Sequence, residues 1–255
     1  MAARIQIGNR FLDGVALAIF DKDGTLIDVH HYWSRMVQLR ADLIAEQLNL
    51  DRDDRNGLMD SMGVRVDAMK IKPEGPVGLK KREIVQQAGV DYLIKNGHSD
   101  HTALFVEVFA EVDRLSMKRL NEMIKPLPGL FEMATALKQY GTKLAMATTD
   151  RTERAILAMD HLGLGGVIEC IVGADQVSNP KPHPEVVHAI CNRMKMRVQT
   201  TIMVGDSKSD VMAGIQAGCL ASIGVASGLT PEDELHALTP YVARDISGIA
   251  ISASD

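Results

Sequence analysis

Two carboxylates, two positions apart at the end of an apolar strand, constrain this chain more than any other feature. Val15-Ala16-Leu17-Ala18-Ile19-Phe20 has no polar residue and runs directly into Asp21-Lys22-Asp23-Gly24-Thr25. A short run apolar on both faces reads as a strand buried within a parallel sheet. Asp21 and Asp23 then fall at the strand's carboxyl end, where open α/β sheets place their ligands. Gly24 and Thr25 turn the chain sharply out of the strand. Like charges this close repel, and are tolerated when a divalent cation or a proton lies between them. The run predicts a metal-assisted carboxylate site. The alternative is a solvated acidic turn after a strand.

Four further β-rich runs follow, at residues 143–148, 168–172, 201–204 and 221–225. Helix-like segments at 129–140, 152–162 and 184–194 flank the later ones, the alternation expected of a parallel sheet wound with helices. Ahead of the first run, residues 5–7 and 10–12 flank Gly8-Asn9 and read as a small hairpin. Between the first and second runs the alternation stops. Residues from about 30 to 122 show helical periodicity and no convincing strand. Met36, Leu39, Leu43, Ile44 and Leu48 mark one apolar face; Leu104, Phe105, Val108, Phe109, Val112, Leu115 and Leu120 mark another. Such a stretch is too long for a crossover and reads as a separate helical domain. Lys125-Pro126-Leu127-Pro128-Gly129 punctuates the return to the sheet.

The 255 residues are 46% hydrophobic and 24% charged, the composition of an ordinary globular protein. A formal net charge of -5 gives no electrostatic reason to expect a nucleic acid or an anionic membrane as partner. Cys170, Cys191 and Cys219 form no C-x-x-C pair, and their odd number argues against a disulfide framework; their apolar or helical surroundings point to buried thiols in a reducing compartment. Residues 1–10 carry no long apolar core or cleavage pattern, and no run approaches the ~18 apolar residues that cross a bilayer. The expected location is cytoplasmic.

Chemistry-bearing residues cluster at or just beyond four predicted strand ends. They are Asp21 and Asp23; Thr148, Thr149 and Asp150; Lys181 within Asn179-Pro180-Lys181-Pro182; and Asp206 and Asp210 within Gly205-Asp206-Ser207-Lys208-Ser209-Asp210. Each has a plainer reading. Thr148 suits a helix cap, Lys181 a solvated loop cation, and Asp206 and Asp210 a cap and a first-turn acid favoured by the helix dipole. The plain readings must hold at all four strand ends together.

In order and spacing, D-K-D-G-T at Asp21, the strand-terminal Thr148, K-P-x-P at Lys181, and G-D-S-x-x-D followed by Ala213-Gly214 and Ala217-Gly218 resemble the haloacid dehalogenase superfamily. The resemblance covers nearly the whole chain and is to the phosphatase branch with a helical cap after the first motif, similar to phosphoglycolate phosphatases. It implies a parallel Rossmann-like sheet wound with helices, formed by residues 1–29 and 123–255, and an inserted helical cap domain at 30–122. It also implies the roles. Asp21 is the nucleophile that becomes an aspartyl-phosphate. Asp23 protonates the leaving oxygen and later helps activate water. Mg²⁺ takes the Asp21 carboxylate, the Asp23 carbonyl and the Asp206 carboxylate, with Asp210 ligating or just behind. Thr148 and backbone N–H groups near Asp23 and Thr149 hold phosphoryl oxygens, and Lys181 offsets charge. An acid at Asp23 favours phosphate esters over the other bonds cleaved in the superfamily. Lys22 stands in a slot biased to apolar residues and is expected to point away from the metal.

The implied partner is a small phosphorylated metabolite. A sugar phosphomutase of the β-phosphoglucomutase type shares every core motif, and a catalytically silent binding protein is the alternative from another class. The cap is expected to set specificity. Its candidate contacts are His30, His31, Trp33 and Arg35 near the first hinge, and Lys70 and Lys72 in the turn that continues to Gly78.

Overall fold

The computed structural model describes residues 3–254. The chain opens with a hairpin, β1 (Ala3–Ile7) and β2 (Arg10–Val15), paired antiparallel around Gly8-Asn9. Burial alternates along β1, as a half-covered strand requires. The apolar run then divides. Val15 ends β2, and β3 (Leu17–Phe20) begins only after Ala16. Ala16 spans the two sheets, its N–H on Thr200 O and its carbonyl accepting from Lys143 N, each at 2.9 Å. Both strands are buried there, so no polar residue in the sequence marks the change of sheet.

After β3 the chain leaves for a unit of its own, Val29–Lys125, before returning. This unit holds α1 (Val29–Leu48), α2 (Arg52–Ser61), α3 (Arg82–Lys95), α4 (Thr102–Lys118) and the single turn α5 (Leu120–Met123). Asp51 caps α2 by accepting from the N–H groups of Asp53 and Asp54. On α4 the buried stripe is Phe105, Val108, Phe109 and Val112, as the periodicity predicts. On α1 the face is rotated from the predicted one. Tyr32, Met36, Val37, Arg40, Ala41 and Ile44 are buried, while Leu39, Leu43 and Leu48 are half-buried. Arg40 explains the rotation. Its guanidinium lies 4.0 Å from the Phe109 ring centroid and 3.7 Å from the Asp113 carboxylate, so a charged residue sits on the inner face with its charge met. The unit also contains a strand pair that the periodicity missed, β4 (Val64–Arg65) and β5 (Lys70–Ile71). Two residues apiece are too few to show a period of two.

The second half alternates helix and strand through α6 (Leu130–Gln139), β6 (Lys143–Ala147), α7 (Thr152–His161), β7 (Ile168–Val172), α8 (Glu185–Met194), β8 (Thr201–Gly205), α9 (Lys208–Ala217), β9 (Ala221–Val225), α10 (Glu232–His236) and β10 (Val242–Ala243). Six strands form one parallel sheet in the order β10-β9-β8-β3-β6-β7. All four residues of β3 are buried, because β6 and β8 flank it, Leu17 and Ile19 share a core with α8 and α9, and Phe20 lies among α6 and the small-sheet residues Ile5, Ile249 and Ile251. Leu17, Ile19, Ala145, Ala147, Met203, Val187 and Ile190 belong to one core beneath α8. Of the cysteines only Cys191 is fully buried; Cys170 and Cys219 are partly exposed. A last strand, β11 (Ile249–Ala253), pairs with β1 in the small sheet, Ile5 opposite Ile251. Among the described residues, no helix is long and apolar enough to cross a membrane.

Candidate active site

Because β3 lies between β8 and β6, their carboxyl ends converge on one crevice. Phe20 stands level with Val204 and Met146, so Asp21, Asp206 and Thr148 follow at neighbouring strand ends. Asp21 N donates to Val204 O at 2.9 Å, extending the ladder one residue past the strand. The D-K-D-G-T turn then folds back on itself. Leu26 N and Ile27 N both donate to Lys22 O at 3.0 Å, and Gly24 N donates to Ile27 O at 2.8 Å.

Lys181 is buried, not a solvated loop cation. Its Nζ lies 2.6 Å from Asp21 Oδ1, 2.6 Å from Asp210 Oδ1 and 2.8 Å from Ala147 O. Asp206 is buried beside them and accepts from Leu229 N at 3.2 Å through Oδ2. Two glycines make room for it. A Cβ at Gly24 (φ +87°) falls 2.5 Å from Asp206 Cγ, and one at Gly228 falls 1.7 Å from Asp206 Oδ2. Gly228 and Leu229 sit in the loop after β9 and were not singled out from sequence; only their proximity to Asp206 in the fold reveals them.

Asp210 is a first-turn acid of α9, and it is buried. Ser207, not Asp206, caps α9, and Asp210 completes a capping box: its Oδ2 accepts from Ser207 N at 3.0 Å and Ser207 Oγ at 2.6 Å. Its other oxygen faces Lys181. Thr148 is buried and caps no helix. α7 starts at Thr152, whose N–H and hydroxyl both go to Asp175, while Thr148 Oγ1 accepts from Asp150 N at 3.1 Å. Thr149 is exposed at the rim of the same strand end.

Asp23 is half-buried, and its Oδ1 is enclosed with no hydrogen-bond partner. Its Oδ2 lies 3.2 Å from Lys22 Nζ. Lys22 is only 3% exposed and its ammonium also meets Asp150 Oδ2 at 2.6 Å. Lys22 turns inward between two carboxylates, neither of them in the Asp21, Asp206 and Asp210 cluster, because a buried ammonium needs compensating charge.

The electrostatics follow from burial. Asp21 is pushed up from 3.8 to about 7, first by loss of solvent, against the pull of Lys181 and with the charges of Asp210 and Asp23 adding to the rise. Asp206 is held well above the usual carboxylate range by burial and then by the charges of Asp21 and Asp210. Lys181 is held above its ordinary value, since its two carboxylates outweigh the cost of burial. Burial works against ionisation of Asp150, but the Lys22 ammonium, with Arg154 and the Arg151 N–H, holds the carboxyl low.

Asp21, Asp206 and Asp210 offer oxygens all within 4.8 Å of one another, against the one ammonium of Lys181. An all-oxygen, buried and charge-deficient set of this kind fits a hard divalent cation such as Mg²⁺. Without a cation, stability is expected to fall as pH rises from about 3.8 to about 7, because folded Asp21 holds its proton more tightly than the unfolded chain does. Thermal melts of chelated protein at pH 5 and pH 8 check this. Mg²⁺ should raise the midpoint at pH 8 far more than at pH 5.

The cap candidates lie in the helical unit. His31 Nε2 is 2.9 Å from Glu122 O, and Trp33 packs edge-on against Tyr32 with ring centroids 5.3 Å apart. His30 is half-buried, and Arg35 is exposed with its guanidinium on Gln38 at 2.8 Å. His31, Ser34, Arg35, Gln38 and Met69 line a cleft of about 240 Å³. Lys70 is exposed on β5, and Lys72 pairs with Asp60 at 2.7 Å.

Fold and cluster together define a carboxylate-centred enzyme on an open parallel α/β sheet. The haloacid dehalogenase-like hydrolase family model matches residues 15–218, and the chain belongs to that family. It is 29% identical over 239 residues to the Probable phosphatase IndB of Dickeya dadantii, covering 93% of each chain. It is 30% identical over 114 residues to the Phosphoglycolate phosphatase of Pectobacterium atrosepticum, covering 45% of this chain and 48% of that one. A solved structure described as a predicted phosphoglycolate phosphatase from Haemophilus somnus shares the fold, with a TM-score of 0.63 and 22% identity over 92% of this chain and 96% of the other.

Proposed function

We propose that this protein is a Mg²⁺-dependent phosphatase that hydrolyses a small phosphorylated metabolite through an aspartyl-phosphate on Asp21; the phosphatase names of its relatives support the hydrolysis alone. The observation that carries the reading is the buried Asp21, paired with Lys181 at 2.6 Å and two residues from an acid whose Oδ1 has no partner. Asp21 supplies the attacking oxygen, and the phosphorus–oxygen ester bond breaks as the new acyl-phosphate bond forms. Asp23 gives a proton to the departing oxygen. It then takes one from the water that attacks phosphorus and releases inorganic phosphate, restoring the Asp21 carboxylate. Thr148 and the N–H of Thr149 donate to phosphoryl oxygens, and Lys181 offsets their charge.

Asp21, Asp206 and the Asp23 carbonyl would hold the metal. Asp210 acts from behind, since its two oxygens already serve Ser207 and Lys181. When bound, Mg²⁺ neutralises the carboxylates and polarises the phosphoryl group. Residues 29–125 serve as the cap that selects the substrate, with Lys70 and Lys72 as contacts for its anionic part.

The test is a screen of phosphorylated metabolites with Mg²⁺, scored by release of inorganic phosphate. Chelation should abolish release and Mg²⁺ restore it. Asp206→Ala should raise the Mg²⁺ needed for half-activity by at least about 10–100-fold, the scale on which weaker perturbations of metal sites act. Isomerised sugar phosphate without free phosphate would mark a mutase, and full turnover in excess chelator would refute the reading.

A further inference from the structure

We propose that Lys22, the residue between the two aspartates, is a positioning residue that fixes which oxygen of Asp23 exchanges the proton. This rests on Asp23 being the acid–base group of the reaction. Lys22 turns its ammonium between Asp23 Oδ2, at 3.2 Å, and Asp150 Oδ2, at 2.6 Å. Asp150 is itself held. Its Oδ1 accepts from Arg151 N at 2.8 Å and lies 3.8 Å from Arg154 Nε, and its own N–H goes to Thr148 Oγ1. The lysine backbone is equally fixed, because its carbonyl accepts the two hydrogen bonds that close the turn.

The ammonium therefore has a defined position, and Asp23 is gripped through Oδ2. Oδ1 remains, enclosed and without a hydrogen-bond partner. An unpartnered buried oxygen is costly, and its retention next to a nucleophile points to use in the reaction. In the first step the Oδ1–H bond breaks and an O–H bond forms on the departing oxygen as the phosphorus–oxygen bond opens. The carboxylate so formed has its charge met by Lys22. In the second step Oδ1 receives the proton of the attacking water. Burying a lysine is costly unless its charge is compensated. An apolar residue would fill the same slot without that cost, but would leave Asp23 free to turn.

The experiment compares kcat/KM for 4-nitrophenyl phosphate and phenyl phosphate with saturating Mg²⁺. Phenolate is the poorer leaving group and depends more on a delivered proton. Lys22→Met is expected to lower kcat/KM for phenyl phosphate about 10-fold more than for 4-nitrophenyl phosphate, within the range that a positioned acid supplies. Lys22→Arg, which keeps a cation in reach of Asp23, should retain the wild-type ratio of the two esters. Asp150→Asn should shift the ratio in the same direction as Lys22→Met by less. It decides the matter if Lys22→Met does not fold. Equal losses on both esters, or no loss, would make Lys22 a strut of the turn and overturn the proposal. Asp21→Asn serves as the control. Its inactivity combined with an unchanged ester ratio in the Lys22 variants sinks only the role of Lys22. Its activity would sink the underlying mechanism.

Discussion

Asp21→Asn is expected to remain folded while turnover of phosphate esters falls on the order of 10⁴- to 10⁶-fold, the scale on which losing a nucleophile acts. The amide is nearly the same size and can still accept a hydrogen bond from Lys181 Nζ, now 2.6 Å from Asp21 Oδ1. What it cannot do is attack phosphorus. The substitution also removes one of three carboxylates crowded within 4.8 Å, so in chelator its melting temperature at pH 8 should equal or exceed that of the wild type. The fall in stability between pH 5 and pH 8 should be shallower as well, because Asp21, raised to about 7, no longer contributes a group that must give up its proton in the folded state. Loss of activity with no loss of stability separates a chemical role from a structural one. Near-wild-type hydrolysis would refute the assignment of Asp21.

Lys181→Met should do the opposite to stability. It leaves Asp21, Asp206 and Asp210 buried with no ammonium among them, and breaking a buried ion pair from one side costs about 3–5 kcal/mol. For a chain of this size that corresponds to roughly 10 °C in melting temperature. The deficit should be largest at pH 8 in chelator. It should shrink at pH 5, where Asp21 and Asp206, both raised, take up protons and no longer need the cation. Mg²⁺ should recover part of the stability, because it supplies the missing charge, but not the activity, because the phosphoryl group loses the same ammonium. A melting temperature unchanged at both pH values would show that Lys181 is not the counter-ion of the cluster.

Much of this arrangement can be read from the order of residues. The wound parallel sheet follows from short apolar runs alternating with helical segments, and four of the five runs lead to a reactive residue: Asp21, Thr148, Lys181 or Asp206. These signals are local. A strand buried on both faces must be apolar throughout, and the polar residue that ends it marks the mouth of the sheet. β11 was also within reach of such reasoning, since Ile249-Ala250-Ile251-Ser252-Ala253 alternates, but its partner β1 lies at the other end of the chain.

What the sequence could not determine depends on contacts between distant residues. Val15–Phe20 looks like one strand, and only its neighbours Thr200 and Lys143 divide it between two sheets. Arg40 looks like a surface residue until Phe109 and Asp113 close over it. Lys22 looks misplaced until Asp150, 128 positions away, arrives to share its charge. Gly228 becomes informative only where Asp206 leaves no space for a Cβ. The sequence by itself determined the class of sheet and the residue types at its mouth, because hydrophobic burial and strand ends are written in consecutive residues. The tertiary structure alone decided which charges meet. A buried charge is tolerated only against a partner held within a few ångströms, and that partner is chosen by the fold, not by proximity along the chain.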